Sequence, residues 1–499
     1  MNYTCLVPLF TLLFALFVSG SLKALNPYRH SWELLLQEPS SGPYTREDAA
    51  AVQELWLTQN LDHFEAGDNR TWQMRYFRNA KYHKPQGPMY IFLGGEWTIT
   101  PGLLSTGLTH DMAVENAGIL FYTEHRYYGQ SWPFENNNLT VKNLKYLNLH
   151  QALADVAHFI RYQKSQSANL THSKVILIGG SYSGSMAAWM THLYPELVAA
   201  VWASSAPLLA KADFYEYMHR VENSLTLSYG SNCTRRLERG FEHLVNLFNE
   251  NKASDLLRRL NACPNYNASD SLDRISFFSG INNYFAWITQ SYSAYLPQLC
   301  ETLLSQHSSD AESLLTFLEL LYTLDQRWNA YYCQDFSYKS MLQLYSESSD
   351  HSSGSRAWFY QTCSQFGWFT TTGRSAINTT SGTSTFGSEV PLWYFEQLCR
   401  DAFGPEVGPA TLALGIAQMN SEFGGHDFDH SLRYRQVLFT HGELDPWRVL
   451  GYEGGCQALV IAGYSHVEDL ASINVQDSVP MNLAKLRVMS FLRRHTEVI

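Results

Sequence analysis

Several short runs in this chain are apolar at almost every position, and they limit its fold more than any other feature. They are Pro88–Leu93 (PMYIFL), Gly118–Tyr122 (GILFY), Lys174–Ile178 (KVILI) and Val198–Ala203 (VAAVWA). A strand with one wet face alternates apolar and polar residues, and these runs do not, so both of their faces must be covered. Between the second and third runs, Asn148–Tyr162 places Leu149, Leu153, Val156, Ala157 and Ile160 on one helical face. Strands buried on both faces and alternating with helices predict a parallel sheet in an α/β fold.

The texture changes after Pro207. Residues 211–345 carry amphipathic helix patterns, among them Leu237–Leu247, Leu256–Leu260 and Ala311–Leu324. Residues 346–390 are rich in Ser, Thr and Gly and are expected to be surface loops. Strand patterns return at Arg435–Thr440 and Ala458–Ala462, and residues 481–495 close the chain with an amphipathic helix. The expected layout is an α/β-hydrolase core, 52–207 and 416–499, interrupted by a mostly helical cap with connecting loops at 208–415. Residues 1–21 read as a signal peptide: Leu6–Val18 is apolar and Ser19, Gly20 and Ser21 are small, with cleavage expected between Gly20 and Ala24. The segment before Leu6 lacks a positive charge, so a retained membrane anchor is the alternative. No later stretch is apolar for long enough to span a bilayer.

Composition narrows the function. A net charge of −11 over 499 residues argues against a nucleic-acid partner, which needs a basic patch. Aromatic residues make up 14% of the chain, which suits a folded enzyme with aromatic-lined pockets. Six Asn-x-Ser/Thr triplets, at Asn69, Asn138, Asn169, Asn232, Asn267 and Asn378, are glycosylation candidates of a secreted or endosomal/lysosomal protein. Of the eight cysteines, Cys5 lies in the signal segment and the rest follow residue 230 without a C-x-x-C pair. Disulfides are the expectation in an oxidising compartment, and the odd count leaves one thiol free or paired between chains.

The KVILI run leads straight into Gly179-Gly180-Ser181-Tyr182-Ser183-Gly184, and a helix pattern, Met186–Tyr194, follows. Strand, tight glycine turn, serine and helix form the context of a nucleophile elbow. Ser183 stands where the strict pattern has its last glycine, and Ser183 and Ser185 are rival nucleophiles that lack a glycine two positions earlier. The backbone N–H of Tyr182 is one candidate oxyanion donor, and Gly95, in the turn after the PMYIFL run, is the other. Asp445 follows the Arg435–Thr440 strand and His466 follows the next one. Ser, Asp, His is the triad order of α/β-hydrolases: the imidazole takes the hydroxyl proton and the carboxylate orients the imidazole.

Other constellations compete. His426 and His430, four apart with Asp427 and Asp429 between, suit a metal on a helix, but Gly424-Gly425 precedes them and a loop is expected. Glu124-His125-Arg126 after the GILFY run is expected to form a buried structural network, with a direct catalytic role for His125 as the alternative. Glu96 is expected either to bind a substrate amine or to sit in a salt bridge. No metal and no cofactor is expected.

Four blocks, GGSYSGSMAAW from Gly179, EHRYYGQSWPF from Glu124, WFYQTCSQFG from Trp358 and HGELDPWRVL from His441, resemble the proline-specific serine peptidase family. That family includes lysosomal Pro-Xaa carboxypeptidase, dipeptidyl peptidase II and thymus-specific serine protease. YQTCSQFG, MNSEFGG and DPWRVL resemble the thymus-specific branch. The resemblance covers about Thr58 to Leu492 and implies an α/β-hydrolase core with a helical cap. It also implies Ser181, Asp445 and His466 as the triad and cleavage after proline in short peptide substrates, often at acidic pH. It further implies the pairs Cys233–Cys300, Cys263–Cys333 and Cys363–Cys399, with Cys456 free, and Trp447 as a wall of the proline pocket. Carboxypeptidase members carry Gly-Gly after Ser-Tyr and Gly-Gly-Gly after Asp-Pro-Trp. This chain has Ser183-Gly184 and Arg448-Val449-Leu450 there. A carboxypeptidase, a dipeptidyl peptidase and an endopeptidase therefore stay open, as do an esterase and a catalytically silent binding protein. A homodimer is neither required nor excluded.

Overall fold

The computed structural model describes residues 37–135, 138–305, 309–328, 333–346, 354–373, 384–430 and 436–496. The signal segment and Asn378 lie outside the described residues.

Ten strands are described: β1 (Val52–Asn60), β2 (Thr71–Asn79), β3 (Met89–Leu93), β4 (Ile119–Thr123), β5 (Val175–Gly180), β6 (Ala200–Ser204), β7 (Lys211–Asp213), β8 (Gly367–Phe369), β9 (Val437–Gly442) and β10 (Ala458–Ile461). Eight form one sheet in the order β1-β2-β4-β3-β5-β6-β9-β10. From β4 to β10 every neighbouring pair is parallel, whereas β1–β2 and β2–β4 are antiparallel. This is the α/β-hydrolase arrangement that the four apolar runs and the two later strand patterns anticipate.

The apolar runs are covered on both faces. In β3, Met89, Ile91 and Leu93 join the cluster that holds helices α1 (Leu149–Gln166) and α2 (Tyr182–Leu193). Tyr90 and Phe92 join the opposite cluster, with Val488, Phe491 and Leu492 of the closing helix α8 (Val479–Thr496). The β1–β2 pair was not anticipated. β1, at the sheet edge, exposes Glu54, Trp56, Thr58 and Asn60 at alternate positions, and β2 inside it exposes only Thr71 and Gln73 but buries the polar Arg75 and Asn79.

Helices α3 (Glu216–Tyr229), α4 (Ser231–Asn249) and α5 (Ser271–Ser291) carry the cap, whose apolar residues share one continuous cluster with the core. The surface-loop expectation for 346–390 is corrected at its centre. Ser355–Gln361 is a helix, α6, followed by a wide turn at Thr362–Phe366 and by β8, and most of this stretch is buried. The aromatic residues Trp358, Phe359, Phe366, Trp368 and Phe369 outweigh the flanking Ser and Thr there, because their burial stabilises more than small polar residues resist. β8 pairs with β7 and ties this segment to the start of the cap. Helix α7 (Pro409–Phe423) runs unbroken past residue 415. Cys233 is bonded to Cys300, Cys263 to Cys333 and Cys363 to Cys399, and Cys456 is an exposed thiol. Among the described residues, no helix is long and apolar enough to cross a membrane.

Candidate active site

Ser181 stands between β5 and α2 with φ 58° and ψ −134°, a conformation that side chains rarely adopt. The turn is forced by crowding. A Cβ on Gly179 would lie 2.2 Å from the Ser183 carbonyl oxygen, and one on Gly184 would lie 2.9 Å from the Gly179 oxygen. Ser183 fills the place of the missing glycine usefully: its hydroxyl donates to the Gly180 carbonyl at 2.9 Å and accepts from the Gly180 N–H at 3.0 Å. Ser185 donates to the Pro207 carbonyl at 2.6 Å. Both rivals are fully buried and engaged in holding the turn, whereas Ser181 is partly exposed and lines a cleft.

Asp445 follows β9 and is completely buried. Its two carboxylate oxygens each lie 3.0 Å from Nδ1 of His466, which follows β10. The Trp447 N–H donates to Oδ1 at 2.9 Å. Burial alone would raise the Asp445 pKa, but the neighbouring His466 and these hydrogen bonds hold it below the usual carboxylate value. Two backbone contacts fix the histidine loop: the Val467 N–H donates to Ser205 Oγ at 2.9 Å, and the His466 N–H donates to the Gln290 carbonyl at 3.3 Å. Ser181 and His466 line the same cleft, and no hydrogen bond joins their side chains among the described residues.

Tyr182 is the first residue of α2, so its N–H has no acceptor within that helix. Gly95 follows β3, and a Cβ there would strike the Trp97 ring at 2.6 Å. Glu96, next to it, is 4% exposed and lines the cleft beside Ser181. Burial pushes its carboxyl up to about 7. Its Oε2 has no hydrogen-bond partner among the described residues. Trp447 lines a second, aromatic pocket that also opens on Ser181, with Trp358, Trp368, Phe369 and Tyr217 as further walls. Its ring meets Tyr217 and Trp368 edge-on at 5.5 and 5.7 Å.

The remaining candidates sit elsewhere. His125 is buried, its Nδ1 against the Arg126 carbonyl at 2.6 Å and its Nε2 against Tyr182 Oη at 3.2 Å, and burial lowers its pKa to about 4. It supports the elbow from behind. Glu124 pairs with Arg75 at 2.5 Å and Arg126 with Asp155 at 2.6 Å, forming the buried network expected of that block. His426 Nε2 donates to the Val449 carbonyl at 3.1 Å. Asn69, Asn138, Asn169, Asn232 and Asn267 are all exposed.

Sequence reasoning missed Gln290 and Asn283 on α5. Gln290 Oε1 accepts from Trp447 Nε1 at 2.9 Å and from Tyr217 Oη at 2.8 Å, so one cap residue braces both the aromatic wall and the histidine loop. Helix α5 is buried on nearly every side and therefore lacks the one-sided periodicity that would have marked it.

The family described as serine carboxypeptidase S28 matches residues 59–488. The chain is 32% identical over 464 residues to the thymus-specific serine protease of Mus musculus, an alignment covering 89% of this chain and 87% of that one. It is 31% identical over 470 residues to the thymus-specific serine protease of Homo sapiens, covering 89% and 87%. With the lysosomal Pro-X carboxypeptidase of Homo sapiens it shares 28% identity over 451 residues, 86% of each chain. The chain belongs to the serine carboxypeptidase S28 family of serine peptidases.

Proposed function

We propose that this peptidase hydrolyses short peptides after proline through an acyl-enzyme, with Ser181 as nucleophile, His466 as base and Asp445 as the orienting carboxylate. The observation that carries this reading is the buried Asp445–His466 pair opening on the same cleft as a serine held at a strained elbow. Ser181 Oγ attacks the scissile carbonyl carbon while His466 Nε2 takes its proton. The C–N bond then breaks, and the imidazolium returns the proton to the leaving amine. A water, deprotonated by the same imidazole, cleaves the ester and frees the acid. The Tyr182 and Gly95 N–H groups receive the charge that develops on the carbonyl oxygen. The substrate draws the serine and the imidazole into line, as catalytic hydrogen bonds often tighten only in the complex.

Trp447 and its aromatic neighbours suit a flat, apolar proline ring. The cap closes over this pocket through α5 and α6, which favours short peptides over folded proteins. Glu96 is a substrate-binding group at the junction of the pocket and the cleft. The protein acts in the secretory pathway, secreted or endosomal/lysosomal, where its three disulfides persist.

A fluorophosphonate probe should label the wild type and fail on Ser181→Ala. The wild type should cleave Xaa-Pro amides in preference to short acyl esters. Absence of label on Ser181, or faster turnover of the esters, would overturn the reading.

A further inference from the structure

The catalytic groups do not decide which end of a peptide enters the cleft. The polar atoms left without partners do. Glu96 lines both the aromatic pocket and the cleft that holds His466. Its Oε2 is buried and makes no hydrogen bond among the described residues, while its own backbone N–H and His466 favour the ionised form against burial. Asn283, 3% exposed, lines the aromatic pocket with an Nδ2 that also has no partner. A buried carboxylate oxygen and a buried amide donor without partners both cost free energy, so both call for a ligand.

The charge around them is one-sided. No Lys or Arg lines either cavity among the described residues. The other carboxylates at the cleft are already occupied. Glu38 accepts from the Thr100 N–H at 2.8 Å and from its hydroxyl at 2.6 Å. Glu468 accepts from the Ser465 N–H at 3.0 Å and the Ser293 hydroxyl at 3.1 Å. A peptide's terminal carboxylate would find no lysine or arginine here among the described residues. A terminal ammonium would bring positive charge and three donors to a carboxylate whose Oε2 has no partner among the described residues.

We propose that Glu96 and Asn283 form a subsite for the free amino end of a short peptide. Glu96 takes the ammonium and the Asn283 side-chain N–H takes a peptide carbonyl, so the enzyme trims from the amino terminus. This rests on the serine-peptidase reading above, and its direction is opposite to the one in the family's description.

The test uses one short proline-containing peptide in four forms: free, N-acetylated, C-amidated and doubly blocked. With the wild type, N-acetylation should lower kcat/KM on the order of 100-fold or more, while amidation should change it by less than about threefold. Glu96→Gln should bring the free-to-acetylated ratio close to one, and Glu96→Asp should restore part of it. Asn283→Ala should raise KM for every form and leave that ratio in place. If amidation abolishes cleavage and acetylation is tolerated, the cleft takes the carboxyl end and the proposal is wrong. Equal cleavage of all four forms makes the enzyme an endopeptidase and also overturns it. Fluorophosphonate labelling of the wild type separates the two levels. Label with the wrong end preference sinks only this proposal, whereas no label sinks the serine-peptidase reading and this with it.

Discussion

The two walls of the cleft are built in different ways. On the core side, the candidate catalytic residues sit on turns at the carboxyl ends of parallel strands. Ser181 follows β5, Asp445 follows β9 and His466 follows β10. Their positions are set by backbone geometry: a strained elbow, a buried strand and a loop pinned through Val467 to Ser205. On the cap side, the wall consists of side chains alone, Trp358, Trp368, Phe369 and Asn283, carried on helices and a short strand. In the proposed mechanism the core side carries the bond-breaking step, and the cap side supplies most of the wall that holds the substrate, with Glu96 and Trp447 as the core's share of it. Gln290 is the exception, since this cap residue touches both Trp447 and the histidine loop.

The contrast can be broken or sharpened by substitution. Asp445→Asn should lower kcat about 10⁴-fold with little change in KM, as loss of the tautomer-fixing carboxylate does in Ser-His-Asp enzymes. Steady-state kinetics on a proline-containing amide would show it, and a change mainly in KM would break the division.

The next effect is on stability. The Glu96 carboxyl is raised from the model-peptide value of 4.5 to about 7 by burial. Its contribution to stability is therefore fully present below about 4.5 and is lost as pH rises through about 7. The loss at higher pH is on the order of 3 kcal/mol. Glu96→Gln should raise the apparent melting temperature of the unliganded enzyme at pH 8 and leave it nearly unchanged at pH 4. An equal shift at both pH values would mean that ionisation is not the cause.

On the cap side, Trp368→Ala should raise KM by about 10- to 100-fold with kcat within a few-fold of the wild type, since it removes binding common to ground and transition states. A collapse of kcat instead would show that the aromatic wall also positions the triad. The smallest effect is expected at the elbow. Ser183→Ala removes the two hydrogen bonds with Gly180 and should cost about 1–2 kcal/mol. Denaturant unfolding would measure it, and no measurable loss would show that the glycines alone hold the turn.

These walls also differ in how far the sequence reveals them. The KVILI run and the glycine turn at 179–184 can be read directly, because a strand buried on both faces and a tight turn each restrict residue type at consecutive positions. The cap wall leaves no such trace. Helix α5 shows no stripe because it is covered on all sides, and the segment around Trp358 and Trp368 is masked by serines and threonines on both flanks. The β1–β2 pair is missed for the opposite reason, because exposed polar residues in β1 and the buried Arg75 and Asn79 in β2 break the apolar pattern.

Local chain chemistry determined the α/β order of elements, the elbow and the sequence of serine, aspartate and histidine, since each depends on residues next to one another. Only the tertiary structure decided that, among the described residues, Glu96 Oε2 and Asn283 Nδ2 lack partners, that no Lys or Arg lines either cavity and that Gln290 bridges cap and core. Those facts depend on residues hundreds of positions apart, and whether a polar group is satisfied is a property of its surroundings and not of its own segment.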